Sequence, residues 1–416
     1  MYRKWVEISR KHLAENAQYC QSIISPNCKM LAVVKANAYG HGSAQCSKIL
    51  LENGVDWLGV SSLGEGLILR ENAITAPVLC LGIVPPENIP QAIDNNITLT
   101  VCDIDEAIAI NKASFSEEST PLSPSMPGPP KSPLLAFRGG LREVPHCLPL
   151  RGRCPEGAEG AGGGSGQRKC DNVVKIHIKL DTGMNRLGFY AKADESKMLQ
   201  TAKEIIQTSQ MKNIEIEGIF THFWGTEYAD CKEQFDLFQK LLKMLKENGV
   251  DPKIKHCCNS NAALNFPEFH LDMCRFGEVL YGYNNPNVTP IMEFKTIIVE
   301  IKNIARSEGV GYDHTFIAKN PRKIAILPVG YADGYLSSLG NKASVCINGE
   351  IAPIVGSVCM DMIMVDITDT NAKIGDTVTL YGREGVTMKM IENWSGIANS
   401  REITCAVGRR VPRVYV

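Results

Sequence analysis

The chain has 416 residues, of which 44% are hydrophobic and 21% are charged, and its formal net charge is −1. This composition is typical of a globular protein with a sizeable core, and the length suggests more than one domain. The near-neutral charge gives no electrostatic reason to expect binding to nucleic acid or to an acidic membrane surface.

Segments that would direct the chain into or across a membrane are not evident in the sequence. No apolar run approaches the roughly 18 residues that span a bilayer. The first residues, Met1–Glu7, contain no apolar core of a signal peptide. We therefore expect a cytoplasmic protein without a membrane partner.

The cysteine pattern favours free thiols. Fifteen cysteines are scattered without the spacing of a disulfide framework. His256-Cys257-Cys258 could suggest a metal site, but the C-x-x-C spacing of zinc sites is missing, so we expect no metal.

The chain between residues 8 and 285 alternates apolar strands with amphipathic helices. The predicted strands are 30–34, 57–60, 78–81, 98–101, 174–180 and 214–220. The predicted helices include 64–72, 104–112, 195–208 and 234–248. Such alternation indicates parallel βαβ units of the α/β class. The number of units suits a (β/α)8 TIM barrel, whose active site lies at the C-terminal strand ends.

Residues 114–170 interrupt this pattern. Five prolines fall between 121 and 130, glycine runs follow, and hydrophobic periodicity is missing. We expect a low-complexity, disordered or loosely attached insert. A helix-to-strand connection lies at the N-terminal face of a barrel, so the insert should spare the active site. Either a functional extension or a wrongly joined segment would explain it.

Residues 286–416 show a different sequence pattern. Short β-branched runs at 296–299, 324–327, 343–346, 364–367 and 377–380 are separated by Gly, Asn or Asp turns. This pattern predicts a mostly antiparallel β-domain.

The most informative stretch is Val34–Gly42, in which Lys35 directly follows the apolar run Met30–Val34. Burial disfavours the charged ammonium form. A desolvated amine is what a covalent bond to an aldehyde cofactor requires. A lysine that snorkels to solvent from a strand end would explain Lys35 better if the residue stood alone.

Lys35 does not stand alone, because eight further blocks follow in a characteristic order. They are 179–188 (KLDTGMNRLG), 221–223 (THF), 259–260 (NS), 275–277 (RFG), 310–312 (VGY), 330–334 (GYADG), 358–361 (VCMD) and 410–413 (RVPR). Together with Val34–Gly42 they resemble the alanine racemase family of fold-type III enzymes, which use pyridoxal 5'-phosphate. The resemblance implies a cofactor-binding barrel over 8–285 and a β-domain over 286–416, joined by residues 1–7 as a strand.

The resemblance also assigns two catalytic bases. Lys35 would carry the cofactor and act as a base on one face of the substrate, and Tyr312 would act on the opposite face. In this family a partner subunit supplies the tyrosine and the residue matching Met360, so a homodimer is implied. The activity implied is racemisation of alanine, and the family suggests a role in D-alanine biosynthesis.

Arg275 matches the arginine that faces the cofactor ring nitrogen. Because arginine only donates hydrogen bonds, that nitrogen would stay unprotonated, which favours simple proton return over transamination. The other residues that match the family's cofactor site are Tyr39, His222, Asn259, Ser260, Gly277 and Glu278. For the substrate, Arg186 would orient the carboxylate and Tyr331 would line the access route. Lys179 matches a lysine that is often carbamylated.

The sequence departs from the family pattern at some positions. Arg409 stands where a tyrosine usually precedes Arg-Val-Pro-Arg, and Glu278 replaces an aliphatic residue near the phosphate. A serine or broad-specificity racemase is therefore an alternative. A fold-type III decarboxylase, for which Cys359 and Asp361 offer superficially suitable groups, is another. A non-catalytic pyridoxal-phosphate-binding protein would lack the domain that carries Tyr312.

Overall fold

The computed structural model describes residues 2–114 and 173–416. Apart from Ser114, the insert predicted at 114–170 lies outside these residues. In the part that is described, no helix is long and apolar enough to cross a membrane.

Within these ranges, eight parallel strands form a nearly closed barrel, and the predicted fold class is confirmed. Around the barrel the strands are Met273–Phe276, Lys29–Val33, Trp57–Val60, Val78–Cys80, Thr98–Val101, Val174–Asp181, Ile214–Phe220 and Ile254–His256. The short strand Phe189–Tyr190 pairs with the end of Val174–Asp181. Single backbone hydrogen bonds bridge the two end strands, from Asp272 N to Lys255 O (3.0 Å) and from Arg275 N to Cys258 O (3.2 Å).

Helices alternate with these strands, and their apolar faces pack in one continuous core with the outer side of the sheet. They are Arg10–Ile23, Ser43–Glu52, Leu63–Glu71, Ile89–Asp94, Ile104–Ala113, Glu195–Ser209, Tyr228–Glu247 and Ser260–Asn265. Side-chain caps stabilise the N-termini of several of these helices. In each case the capping side chain accepts a hydrogen bond from the backbone amide three residues later; the caps are Ser9, Ser62, Asp103 and Asp194. The helix predicted at 234–248 spans Tyr228–Glu247 in the structure. Its first turn is mostly exposed and lacks apolar periodicity, so the sequence pattern did not indicate where the helix begins.

Side chains alternate between two cores along the barrel strands. The small inner core consists of Leu31, Val33, Trp57, Leu79, Ile254 and Met273. Their neighbours Met30 and Ala32 belong to the outer core instead. Lys35 comes two residues after the inward-facing Val33, past the end of its strand, and Arg275 is the next inward position after Met273. Both cations thus lie at the C-terminal ends of neighbouring barrel strands.

The second half of the chain forms a mostly antiparallel β-domain. Its largest sheet has the order Glu350–Pro353, Ser344–Ile347, Thr377–Tyr381, Met292–Ile297, Lys4–Ile8 and Arg413–Tyr415. Three further strands, Glu300–Ile304, Arg322–Leu327 and Ile363–Asp366, form a second sheet. The short strands Gly309–Val310 and Phe316–Ile317 form a hairpin. Two helices, Met388–Ser395 and Ser400–Cys405, follow.

The N-terminal strand belongs to this second sheet. Lys4–Ile8 pairs antiparallel with Met292–Ile297 and parallel with Arg413–Tyr415. The prediction that the N-terminal strand joins the β-domain is therefore confirmed, whereas the exact domain boundaries stay a prediction.

Gly40 is a critical packing position between barrel and β-domain. Its φ is +86°, and an added Cβ would collide with Thr404 O. We expect Gly40→Ala to lower the free energy of unfolding by more than about 2 kcal/mol, because backbone strain and overpacking add. Gly249, with φ +82° and open space around it, is the matched control, and Gly249→Ala should cost only about 1 kcal/mol. Urea unfolding of both variants tests this, and equal losses would contradict it.

Candidate active site

The chain enters a left-handed helical turn immediately after Lys35. The φ angles of Ala36, Asn37, Ala38 and Tyr39 are +51°, +55°, +54° and +53°. None of these residues is glycine, and L-residues disfavour this conformation by about 1–2 kcal/mol each. The surrounding structure must therefore hold the turn in place.

The barrel holds the beginning of this turn through polar side chains. The Ala36 amide donates to Glu65 Oε1 (2.7 Å) and the Ser61 amide to Glu65 Oε2 (2.8 Å), so one carboxylate ties the turn to the next strand-to-helix loop. Asn37 Oδ1 accepts from the Ser43 amide (2.9 Å).

The β-domain holds the end of the turn. Thr404 O packs against Gly40. Arg413 Nε donates to Gly40 O (3.0 Å), and Tyr415 Oη donates to His41 O (2.8 Å). The last segment of the β-domain therefore anchors the lysine turn.

Lys35 is half-buried, and burial is the main reason that its pKa is lowered. The Arg186 guanidinium lowers that pKa further, whereas the Glu65 carboxylate acts in the opposite direction. The amine is thus neutral in a larger fraction of molecules than a lysine in water, as a nucleophile or general base requires.

Arg275 is buried in the barrel mouth and donates all of its recorded hydrogen bonds. Nη2 donates to Thr221 O (2.9 Å), to Cys257 O (2.9 Å) and to His222 Nδ1 (3.2 Å). Nη1 donates to His256 Nδ1 (2.8 Å). An arginine cannot accept, so both imidazoles must present an unprotonated Nδ1 to it.

The tautomer that Arg275 imposes on His256 also determines the tautomer of His177. With Nδ1 accepting, neutral His256 carries its proton on Nε2, which lies 2.9 Å from His177 Nδ1. His177 then carries its proton on Nε2, which lies 3.9 Å from Glu217 Oε2. Burial and then Arg275 lower the pKa of His177 to about 3 and hold the pKa of His256 and His222 well below the usual value. All three imidazoles are therefore neutral near pH 7.

Lys179 is a second buried cation beside Arg275. Burial first, and then Arg275, lowers the pKa of Lys179 to about 8. Lys179 Nζ lies 5.2 Å from the centre of the Phe220 ring, and Arg275 Cζ lies 5.4 Å from the same centre. Within the described ranges, no carboxylate forms an ion pair with Lys179, so this part of the mouth is strongly electropositive.

A cluster of small hydrogen-bonding groups lies at another side of the mouth. Ser260 begins the helix Ser260–Asn265, which Asn259 caps through its bond from the Ala262 amide (3.1 Å). Ser260 Oγ accepts from the Gly277 amide (3.0 Å). A Cβ on Gly277 would lie 2.7 Å from Tyr39 Oη, so only glycine allows the hydroxyl to come so close. Burial raises the pKa of Tyr39 to about 12, which keeps its hydroxyl protonated.

Glu278 follows this cluster, and the structure resolves the repulsion that a carboxylate near a phosphate would create. Glu278 Oε2 forms an ion pair with Arg401 Nε at 2.9 Å. The carboxylate is therefore neutralised by a cation from the β-domain.

Three of the residues proposed from the sequence lie on the surface of the β-domain. Tyr312, Met360 and Tyr331 are 70%, 53% and 47% exposed. Tyr312 and Met360 line a cavity of about 560 Å³, and its lining includes none of the barrel-mouth residues. Tyr312 stands in a turn in which Gly311 (φ +71°), Asp313 (φ +58°) and His314 (φ +45°) have positive φ angles. The chain alone therefore does not place Tyr312 beside Lys35.

Sequence reasoning missed the roles of His177, His256 and Arg401. The two histidines occupy inward positions of barrel strands, so the alternation of side chains was a usable signal. Arg401 offered no such signal, because its partner belongs to the other domain. Arg409, in contrast, is exposed and forms no hydrogen bond or ion pair within the residues that the structure describes.

The chain matches two family models over nearly its whole length. Residues 8–122 and 165–285 match "Alanine racemase, N-terminal domain", and residues 291–415 match "Alanine racemase, C-terminal domain". The alanine racemase of Methanococcus maripaludis is 37% identical over 99% of this chain and 98% of its own length. Alanine racemase 2 of Caldanaerobacter subterraneus is 34% identical over 99% and 94%.

Solved structures give the same result. The alanine racemase of Clostridium difficile 630 superimposes with a TM-score of 0.82 at 30% identity, covering 100% of this chain and 96% of that one. The alanine racemase of Bacillus anthracis with bound L-Ala-P superimposes with a TM-score of 0.79 at 29% identity, again covering 100% and 96%.

The buried imidazoles should make stability depend on pH. An unfolded histidine has a pKa of about 6.5, whereas burial and Arg275 lower the pKa of folded His177 to about 3. Between these values the unfolded chain binds more protons, so stability present above pH ~6.5 is lost as the pH falls. We expect His177→Gln to reduce this acid slope by up to about 1.4 kcal/mol per pH unit in urea unfolding. The exposed His314→Gln is the control, and identical slopes in the wild type and His177→Gln would contradict the assignment.

Proposed function

The chain belongs to the alanine racemase family, and from this membership we propose that it interconverts L-alanine and D-alanine with pyridoxal 5'-phosphate on Lys35. Lys35 and Tyr312 would be the bases on opposite faces of the substrate. The observation that carries this proposal is the half-buried Lys35, immediately before a left-handed turn at the barrel mouth, with its pKa lowered by burial and by Arg186.

The residues of the mouth fit this cofactor. The Ser260 and Tyr39 hydroxyls would donate to a phosphate. The Gly277 amide donates to Ser260 Oγ, so the proton of that hydroxyl stays available, and Asn259 positions Ser260 by capping its helix. Lys35 offers an amine. The chemistry that pyridoxal phosphate supplies when bound is an acceptor for the electron pair left at the substrate α-carbon.

Arg275 would meet the ring nitrogen as a donor. Its recorded neighbours are carbonyl oxygens and imidazole nitrogens that accept from it. An arginine keeps its proton in proteins, so it does not protonate the ring. We propose that this restricts the site to removing and returning a proton, with His222 neutral beside Arg275.

Arg186 would receive the substrate carboxylate. Its guanidinium is exposed, makes no recorded hydrogen bond in the described part of the chain, and acts electrostatically on Lys35, Lys179 and His222. A carboxylate bound there would be fixed by a bidentate pair close to the Lys35 amine.

A second copy of the chain would complete the site. Tyr312 and Met360 are large, exposed side chains beside further exposed apolar residues such as Met362, and such surfaces mark protein interfaces. We propose a homodimer in which the partner's Tyr312 and the partner's Met360 reach the barrel mouth, with Tyr331 lining the route to it.

Mixing two inactive variants tests the function and the origin of Tyr312 together. Lys35→Ala and Tyr312→Phe should each lose about 10²–10⁴-fold in D-alanine formation from L-alanine, because each lacks one base. Subunits refolded together in equal amounts should recover about a quarter of wild-type activity, since half of the dimers carry one intact site.

The separate variants, refolded alone, are the controls for this recovery. If the mixture stays as inactive as its components, Tyr312 acts on the Lys35 of its own chain. If Tyr312→Phe alone retains full activity in both directions, the two-base assignment is wrong.

We also propose that Lys179 carries a carbamate. Its pKa of about 8 leaves a neutral amine that can attack carbon dioxide, and the resulting anion would lie between the cations Arg275 and Arg186. Carbon-13 NMR in labelled bicarbonate should show a carbamate signal in the wild type that is lost in Lys179→Gln. A wild-type spectrum without this signal would contradict the modification.

The alternatives receive less support than racemisation of alanine. Asp361, which a decarboxylase could use, is paired with Arg410 at 2.5 Å, and a non-catalytic barrel protein would lack the β-domain. Arg409 forms no hydrogen bond or ion pair in the described residues, so no such interaction favours serine over alanine.

We place the activity in the cytoplasm, as a supply of D-alanine. Among the described residues all twelve cysteines are free, which is typical of a reducing compartment.

A further inference from the structure

An ion pair joins the two domains at the edge of the barrel mouth. Arg401 lies in the β-domain helix Ser400–Cys405, and Glu278 follows the barrel strand Met273–Phe276. Arg401 Nε lies 2.9 Å from Glu278 Oε2. The function assigned above does not use this contact.

The pair is incomplete as a hydrogen-bonded bridge. Arg401 Nε–H is donated to Asn399 Oδ1 at 2.9 Å. Glu278 Oε2 is buried and accepts no hydrogen bond within the described residues. The Nη groups of Arg401 have no recorded hydrogen bond in this part of the chain either. The guanidinium therefore presents a free donor edge, which suits bidentate binding of an anion.

The position of the pair indicates which anion would bind. Glu278 adjoins Gly277, whose amide is bonded to Ser260 Oγ and whose Cα packs against Tyr39 Oη. The helix of Arg401 packs against Gly40 through Thr404 O. The free edge is thus next to the donors proposed for the phosphate, and its charge opposes the effect of burial on the pKa of Tyr39.

We propose that Arg401 is a ligand of the cofactor phosphate and that Glu278 holds this arginine in place until the phosphate arrives. This inference rests on the function proposed above. A dianion beside Glu278 would be repelled if the guanidinium did not stand between them. The phosphate oxygens can accept hydrogen bonds from the Arg401 guanidinium, whereas Glu278 Oε2 accepts none from the described residues. Arg401 would therefore bind the phosphate in preference to Glu278.

The test compares two aldehydes that differ only in the phosphate. Cofactor-stripped full-length protein is titrated with pyridoxal 5'-phosphate and with pyridoxal, and binding is followed by absorbance. We expect Arg401→Gln to weaken binding of pyridoxal phosphate roughly 10- to 100-fold, as for a lost charge-assisted contact. Binding of pyridoxal should change little.

The variant Glu278→Gln distinguishes a role of Arg401 as a phosphate ligand from a purely structural role of the ion pair. Removing the carboxylate should tighten pyridoxal phosphate binding about threefold or more, because repulsion is relieved and Arg401 is released. A structural pair would instead shift both variants in the same direction and affect both aldehydes alike, which would overturn the proposal. Arg409→Gln is the matched control, and an equal loss there would overturn the assignment to Arg401.

Further outcomes distinguish this inference from the proposed function. If wild-type protein binds neither aldehyde, the proposed function is wrong. If the wild type racemises alanine and Arg401→Gln raises only the KM for alanine, the arginine binds substrate and the inference fails. The unfolding midpoint of each variant checks that it folds, and a variant with a lowered midpoint is compared with the wild type at a temperature at which both are folded.

Discussion

The rest of the site depends on a left-handed turn that is unfavourable by itself and needs contacts with the surrounding structure. Four consecutive L-residues after Lys35 adopt positive φ, at a combined cost of several kcal/mol. The barrel stabilises the turn through Glu65, and the β-domain stabilises it through Thr404, Arg413 and Tyr415. Both domains therefore set the orientation of the lysine, and the β-domain contributes to the candidate site within a single chain.

A second constraint is that arginine only donates. Arg275 is surrounded by carbonyls and imidazole nitrogens, so a single buried guanidinium decides the tautomers of His222, His256 and, through His256, of His177. The same property makes it a poor proton source for a cofactor ring. Burial first, and then the charge of Arg275, lower the pKa of the three imidazoles, so the group that decides their tautomers also helps to keep them neutral.

The barrel and the β-domain were predictable because their strands are apolar and their periodicity is regular. Two barrel strands, Ile254–His256 and Met273–Phe276, were not predicted, since both are short and carry the charged or polar residues of the site. The turn after Lys35 could not be foreseen, because no glycine marks the four left-handed positions. The pair Arg401 and Glu278 depends on domain packing, which local patterns do not encode.

The pairing of Lys4–Ile8 with Arg413–Tyr415 has a consequence for biosynthesis. During translation Lys4–Ile8 is made long before Arg413–Tyr415, so it can pair with this parallel neighbour only late in synthesis. Arg413 and Tyr415 also anchor the turn beside Lys35. A nascent chain can therefore form its barrel strands early, but the turn after Lys35 gains these two anchors only after Arg413 and Tyr415 have been made.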